Sequence, residues 1–143
     1  SSADVEINKL DRITSSSLLP VKADISNDFF AENLKFSEKQ TVRISTLDEE
    51  IPSGLTVNIL KIDVQGYEVE VLKGGVDTLK RVNIIVVEMQ NHFLYEGAPL
   101  YYDLDACLRK ANFSLYDIVP SIRKDKKLYE WDGIYINNAL LKE

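Results

Sequence analysis

Two short apolar runs, "VNILKI" (57–62) and "VNIIVVEM" (82–89), constrain this chain more than anything else in it. Each is nearly continuous in Val, Ile and Leu, as suits a strand covered on both faces. Between them, "YEVEVLKGG" (67–75) sets Tyr67, Val71 and Leu72 at helical spacing, with Gly74-Gly75 as a stop. Strand, helix and strand in that order predict a right-handed βαβ crossover in a parallel sheet.

The flanks are less regular. "DVEI" (4–7) alternates like a short strand, and residues 11–40 carry turn formers without a steady period, so they read as largely irregular. "TVRIST" (41–46) alternates again, and Thr46 with Glu49 has capping-box spacing for a short helical turn that Pro52-Ser53-Gly54 ends. Beyond Pro99, a helix is expected with Leu100, Leu104, Cys107, Leu108 and Ala111 on one face. "FSLYDI" (113–118) reads as a strand, and "LYEWDGIYIN" (128–137) as a strand-pair candidate at a sheet edge. The basic run at 123–127 reads as a solvated loop tip.

With 143 residues and 45% hydrophobic content, residues 1–143 can bury a core as a single domain, irregular with short strands over 1–45 and carrying its motifs over 46–143. Its 23 acidic and 17 basic residues, a formal charge of -6, disfavour nucleic acid and anionic membranes as partners. The lone Cys107 excludes an internal disulfide framework and reads as a small hydrophobe on the helix face, compatible with a reducing compartment; the cytoplasm is the default expectation. No run approaches the ~20 apolar residues of a membrane helix. The chain opens on Ser1-Ser2 and its single methionine is Met89, the pattern expected of part of a longer gene product.

Chemistry-bearing residues gather where the two apolar runs end. Ligands of open α/β sheets collect at the carboxyl ends of parallel strands, and here those ends carry Asp63 and Glu88. Capping or backbone hydrogen bonding would account for the same acids structurally. His92, just past the second run, is a candidate base because imidazole is the usual side chain for proton transfer, with Glu88 or Asn91 as its only evident orienting partners; a packing imidazole is the plainer reading. Asp63, Glu88 and Asn91 would make an oxygen-rich magnesium site, but no spacing demands one, so no metal is expected. Tyr95, Tyr101, Tyr102 and Trp131 read as packing before pocket lining.

The segments "TLDEEI", "LKIDVQGYEVEVLKGG", "NIIVVEMQNHFLYEGAPLYYDLDACLRKANFSLYDI" and "WDGIYIN" together resemble the C-terminal part of FkbM-type methyltransferases. "KIDVQGYEVEVLKG" is the specific part of that likeness. The resemblance implies an α/β fold with a Rossmann-like class I methyltransferase sheet, here its C-terminal part, mixed and closed by an antiparallel edge pair of 113–118 with 133–137. It implies S-adenosylmethionine as cofactor and a hydroxyl acceptor on a small molecule or glycan, whether sugar, polyketide or peptide. By that resemblance Asp63 orients the acceptor or the cofactor's amino group, Gln65 and Gly66 shape the cofactor-side turn, Glu68 is a secondary candidate with service to the helix dipole as its alternative, and His92 and Glu88 are candidate catalytic groups. The family's glycine-rich cofactor loop has no counterpart, since the six glycines form no G-x-G. The chain alone is therefore expected to bind cofactor weakly or not at all. The alternative is a noncatalytic, partner-binding form of the fold, completed through another chain or self-association.

Overall fold

The computed structural model describes residues 2–22 and 34–141; the expectation of irregular structure over 23–33 lies outside them. Ten elements follow in chain order: β1 (Ala3–Leu10), β2 (Phe36–Ile44), α1 (Leu47–Glu50), β3 (Val57–Ile62), α2 (Glu68–Lys73), α3 (Val76–Leu79), β4 (Val82–Gln90), α4 (Tyr101–Lys110), β5 (Phe113–Lys124) and β6 (Lys127–Asn137). Short 3-10 turns occupy Ile13–Ser15 and Asn138–Leu140. The protein is mixed α/β, with a two-stranded antiparallel sheet and a four-stranded mixed sheet.

The four-stranded sheet runs in the order β3-β4-β6-β5. β3 and β4 are parallel, as the two apolar runs require, with Ile59 beside Ile84 and Ile62 beside Val87. β6 lies antiparallel to both β4 and β5, so the last strand in sequence sits inside the sheet. The expected pairing of 113–118 with 133–137 is present. Residues 128–137 belong to one strand, however, and its hairpin partner is β5, which extends to Lys124. The basic run is the tip of that hairpin: Asp125 and Lys126 have φ of 50° and 67°, the doubly left-handed backbone of a two-residue turn.

One face of this sheet holds the core. Ile62, Ile85, Val87, Met89, Trp131 and Tyr135 are buried together with Leu72 and Leu79 from the crossover and Leu104, Leu108 and Phe113 from α4 and its exit. The helical face expected for α4 is therefore the face that packs. Gly133 follows from the same packing, since a Cβ there would lie 3.0 Å from both Met89 Sδ and Tyr135 Cε2.

The other face corrects an expectation. β3 is an edge strand with an open face, not one covered on both sides: Ile59 is 63% exposed. Ile84, Val86, Ile134 and Ile136 on the same face are only half-buried. A continuous apolar run shows that both faces can be covered, and only packing decides whether they are.

The irregular stretch is also shorter than expected. β2 begins at Phe36, so residues 36–40 are strand; their polar sequence hides a ladder made by pairing with β1. Ion pairs across it join Lys9 to Glu38 at 2.8 Å and Lys39 to Glu6 at 2.9 Å. A second small cluster of Leu10, Leu94, Tyr95 and Ala98, with Leu19 and Val21 against it, ties this region to the loop after β4. Bridges at Asn8 to Ser17 and Val21 to Tyr95 fix the connection.

The Thr46 capping box forms: Glu49 N–H donates to Thr46 Oγ1 at 3.2 Å and Thr46 N–H to Glu49 Oε2 at 3.3 Å. Gly74 and Gly75 end α2, but neither adopts the left-handed backbone of a glycine stop. Close approach explains them instead, because a Cβ on Gly75 would meet Leu47 Cδ1 at 2.8 Å. α1 then hands Asp48 to α3, whose Asp77 and Thr78 amides donate to its carboxylate at 3.1 and 2.7 Å.

Candidate functional site

The parallel strands β3 and β4 deliver Asp63 and Glu88 to the same rim, and the turn after β3 joins them. Gln65 Nε2 donates to Asp63 Oδ1 at 3.0 Å and to Glu88 Oε2 at 2.9 Å. One side-chain amide thus bridges two carboxylates from different strands. Holding it there takes an unusual backbone: Gln65 has φ of 54°, left-handed for a non-glycine residue, and Gly66 follows at 96°. Gly66 needs its missing side chain twice over, because a Cβ would also lie 3.0 Å from Ala98 Cβ.

Three groups clamp this turn. Ser17 Oγ donates to the Gln65 carbonyl at 2.6 Å. The Tyr95 hydroxyl lies 2.9 Å from Gln65 Oε1 and 2.7 Å from the Ser15 carbonyl, two acceptors served by one proton. Burial and the surrounding carboxylates push the Tyr95 phenol up, so that proton stays in place. Glu68, only 2% exposed, turns inward and accepts the Gly66 amide at 3.0 Å and the Val64 amide at 3.3 Å. Burial raises its pKa, with those amides opposing. The structure places Glu68 beneath the turn as its support.

The electrostatics are dominated by acid. Burial, and then the Asp63, Glu130 and Glu68 carboxylates, push Glu88 up to about 8, with only Lys61 pulling the other way. Lys61, on the open face of β3, reaches Asp132 at 2.5 Å and Asp63 at 3.8 Å. Desolvation works against its charge, but these partners outweigh that and raise its pKa. Asp63 itself stays accessible, its side chain 42% exposed.

His92 enters differently from expectation. Its orienting partner is neither Glu88 nor Asn91 but Glu130 of β6, with Nε2 3.0 Å from Oε1 and the ring edge-on to Tyr129 at 5.5 Å. The partner comes from a strand 38 residues later, which no local spacing signals. Because Glu130 also acts on Glu88, the pair adjoins the carboxylate bridge. Among the described residues, no group of three or more His, Cys, Asp or Glu side chains could hold a metal ion.

Tyr95 is the residue that sequence reasoning missed. Its ring is buried, as packing predicts, but its hydroxyl holds Gln65. Trp131 is buried with Tyr101 tilted against it at 5.3 Å, and Cys107 packs beside the core, both in line with packing roles.

The sequence pattern of the FkbM methyltransferase domain matches residues 6–115, which include the second half of β1, the crossover and every member of the bridge. The chain belongs to that family. A 59-residue stretch is also 41% identical to the hexuronic acid methyltransferase AglP of Haloferax volcanii, covering 38% of this chain and 25% of that protein. This FkbM chain thus aligns with about a quarter of that relative's length. No solved structure matches it. Among its described residues, no helix is long and apolar enough to cross a membrane.

Proposed function

We propose that this FkbM-family chain carries the acceptor-side catalytic groups of an S-adenosylmethionine-dependent O-methyltransferase. The observation that carries the reading is the Asp63–Gln65–Glu88 bridge at the carboxyl ends of two parallel strands. Strand order β3-β4-β6-β5, parallel then antiparallel, is compatible with the C-terminal part of a Rossmann-like methyltransferase sheet, and strand ends are where such sheets bind ligands.

An acidic rim suits a cationic donor, so the residues present fit S-adenosylmethionine, which would lie against the turn that Gln65 and Gly66 shape. When bound, it supplies a methyl group on a sulfonium that leaves as a neutral thioether. The chain's own part is to align the acceptor and remove its proton. Asp63, exposed and fixed by Gln65, accepts a hydrogen bond from the acceptor hydroxyl. Glu88, with its pKa near 8, takes the proton as the oxygen becomes bonded to carbon. His92 and Glu130 stand behind Glu88 as a neighbouring pair and are a second route for that proton. A sugar is the preferred acceptor, since the AglP relative is named a hexuronic acid methyltransferase.

In the complete protein, Asp63→Asn should lower methyl transfer by at least ~10²-fold without altering thermal unfolding. Methyl transfer by the wild type should rise with pH toward about 8, and Glu88→Gln should lose that rise. Unchanged turnover in both variants would remove the bridge from the chemistry.

A noncatalytic reading has one observation in its favour, the open edge and face at Ile59, which another chain could cover. Wild-type methyl transfer by the complete protein distinguishes the two readings.

A further inference from the structure

A second feature adjoins the turn, since Ser17 and Val64 are among the residues that line it. The stripe Val5, Ile7, Val42 and Ile44 shares one face of the β1–β2 ladder, since Val5 pairs with Val42 and Ala3 with Ile44. Part of this stripe faces α1 and α2 across a cavity of about 590 Å³, which Ile7, Val42, Ile44, Leu47, Tyr67 and Val71 line. That volume is in the range of small-molecule sites, which are clefts lined mostly by apolar side chains with a few polar groups.

Its polar groups narrow the occupant. Ser16, Ser17, Ser45 and Thr46 also line it, but each hydroxyl oxygen already has a partner, in the Leu10 amide, the Gln65 carbonyl, the Glu49 carboxylate and the Glu49 amide. Two acids remain, Glu50 and Glu70, while no Lys, Arg or His is among the lining residues. Glu70 is held by Lys73 at 2.6 Å. Glu50 is exposed and makes no ion pair among the described residues. The Tyr67 ring adds an aromatic face of the kind that attracts cations.

We infer that this cavity binds an apolar molecule bearing a protonated amine, its hydrocarbon body between the β1–β2 ladder and α2 and its ammonium group at Glu50 and Tyr67. The inference stands apart from methyl transfer, because it needs neither cofactor nor turnover.

Calorimetric and NMR titrations of the 143-residue chain with three eight-carbon probes test it. Octylammonium should bind saturably at one site, octanol roughly threefold more weakly, and octyl sulfate more weakly still. Val71→Trp and Ile44→Trp, which fill the cavity from opposite walls, should each abolish binding while far-UV circular dichroism is retained. Glu50→Gln, an exposed substitution that leaves the walls intact, should erase the preference for octylammonium over octanol. Absence of saturable binding by every probe would overturn the inference. So would octyl sulfate binding as tightly as octylammonium, binding that survives both tryptophan variants, or a cation preference that survives Glu50→Gln.

Discussion

Glu88 is the side chain whose environment departs most from that of an ordinary carboxylate among the candidate groups. Its pKa of about 8 lies above the ordinary 4.5, so folding favours its neutral form. For an acid raised in this way, the stabilising contribution is fully present below about pH 4.5 and is lost as pH rises through about 8. Urea midpoints of the wild type should therefore fall across that window, and those of Glu88→Gln should fall less; parallel slopes would show that Glu88 is not the group responsible. Glu68, raised in the same direction by burial, contributes with the same sign. Tyr95→Phe deletes the proton that serves Gln65 and Ser15, and should cost about 1–2 kcal/mol in denaturant unfolding. In the complete enzyme it should also lower kcat more than it raises KM, because the bridge is loosened while the acceptor's contacts remain. Asp63, Glu88 and the turn were legible in the sequence because they follow apolar runs directly. Tyr95 and Glu130 were not, since each reaches the site through a contact at least 30 residues away.

At the scale of elements, the same contrast separates the crossover from its supports. Periodicity marks β3, α2, β4 and α4, because a strand or helix that buries a face must repeat its apolar residues. It says nothing of how α1 leans on the junction of α2 and α3, which depends on two glycines chosen for closeness. Gly75→Ala should therefore cost about 1 kcal/mol or more, as its new Cβ is driven against Leu47. Gly54→Ala, with nothing within 4 Å of the added Cβ, should be neutral or slightly stabilising. Equal effects on the thermal midpoint would contradict the packing account. The polar first half of β2, residues 36–40, was illegible for a related reason: its ladder is built from backbone bonds and cross-strand ion pairs, which leave little trace in hydropathy.

For the molecule as a whole, the open face of the four-stranded sheet is where self-association is expected to start. A long apolar edge with unpaired backbone groups invites association. Ile59→Lys should weaken concentration-dependent association in sedimentation without lowering the thermal midpoint, since Ile59 is 63% exposed and leaves no cavity. Calorimetry with S-adenosylhomocysteine should show weak or no binding to the 143-residue chain; tight binding would mean that these strand ends alone suffice. The order β3-β4-β6-β5 has a further consequence, in time rather than space. The strand that separates β4 from β5 is the last to be synthesised, so β4 must wait for its antiparallel neighbour until Asn137 has left the ribosome. Nascent chains halted before Lys127 should stay protease-sensitive throughout β4 and β5, and protection should appear in one step once β6 is free to insert.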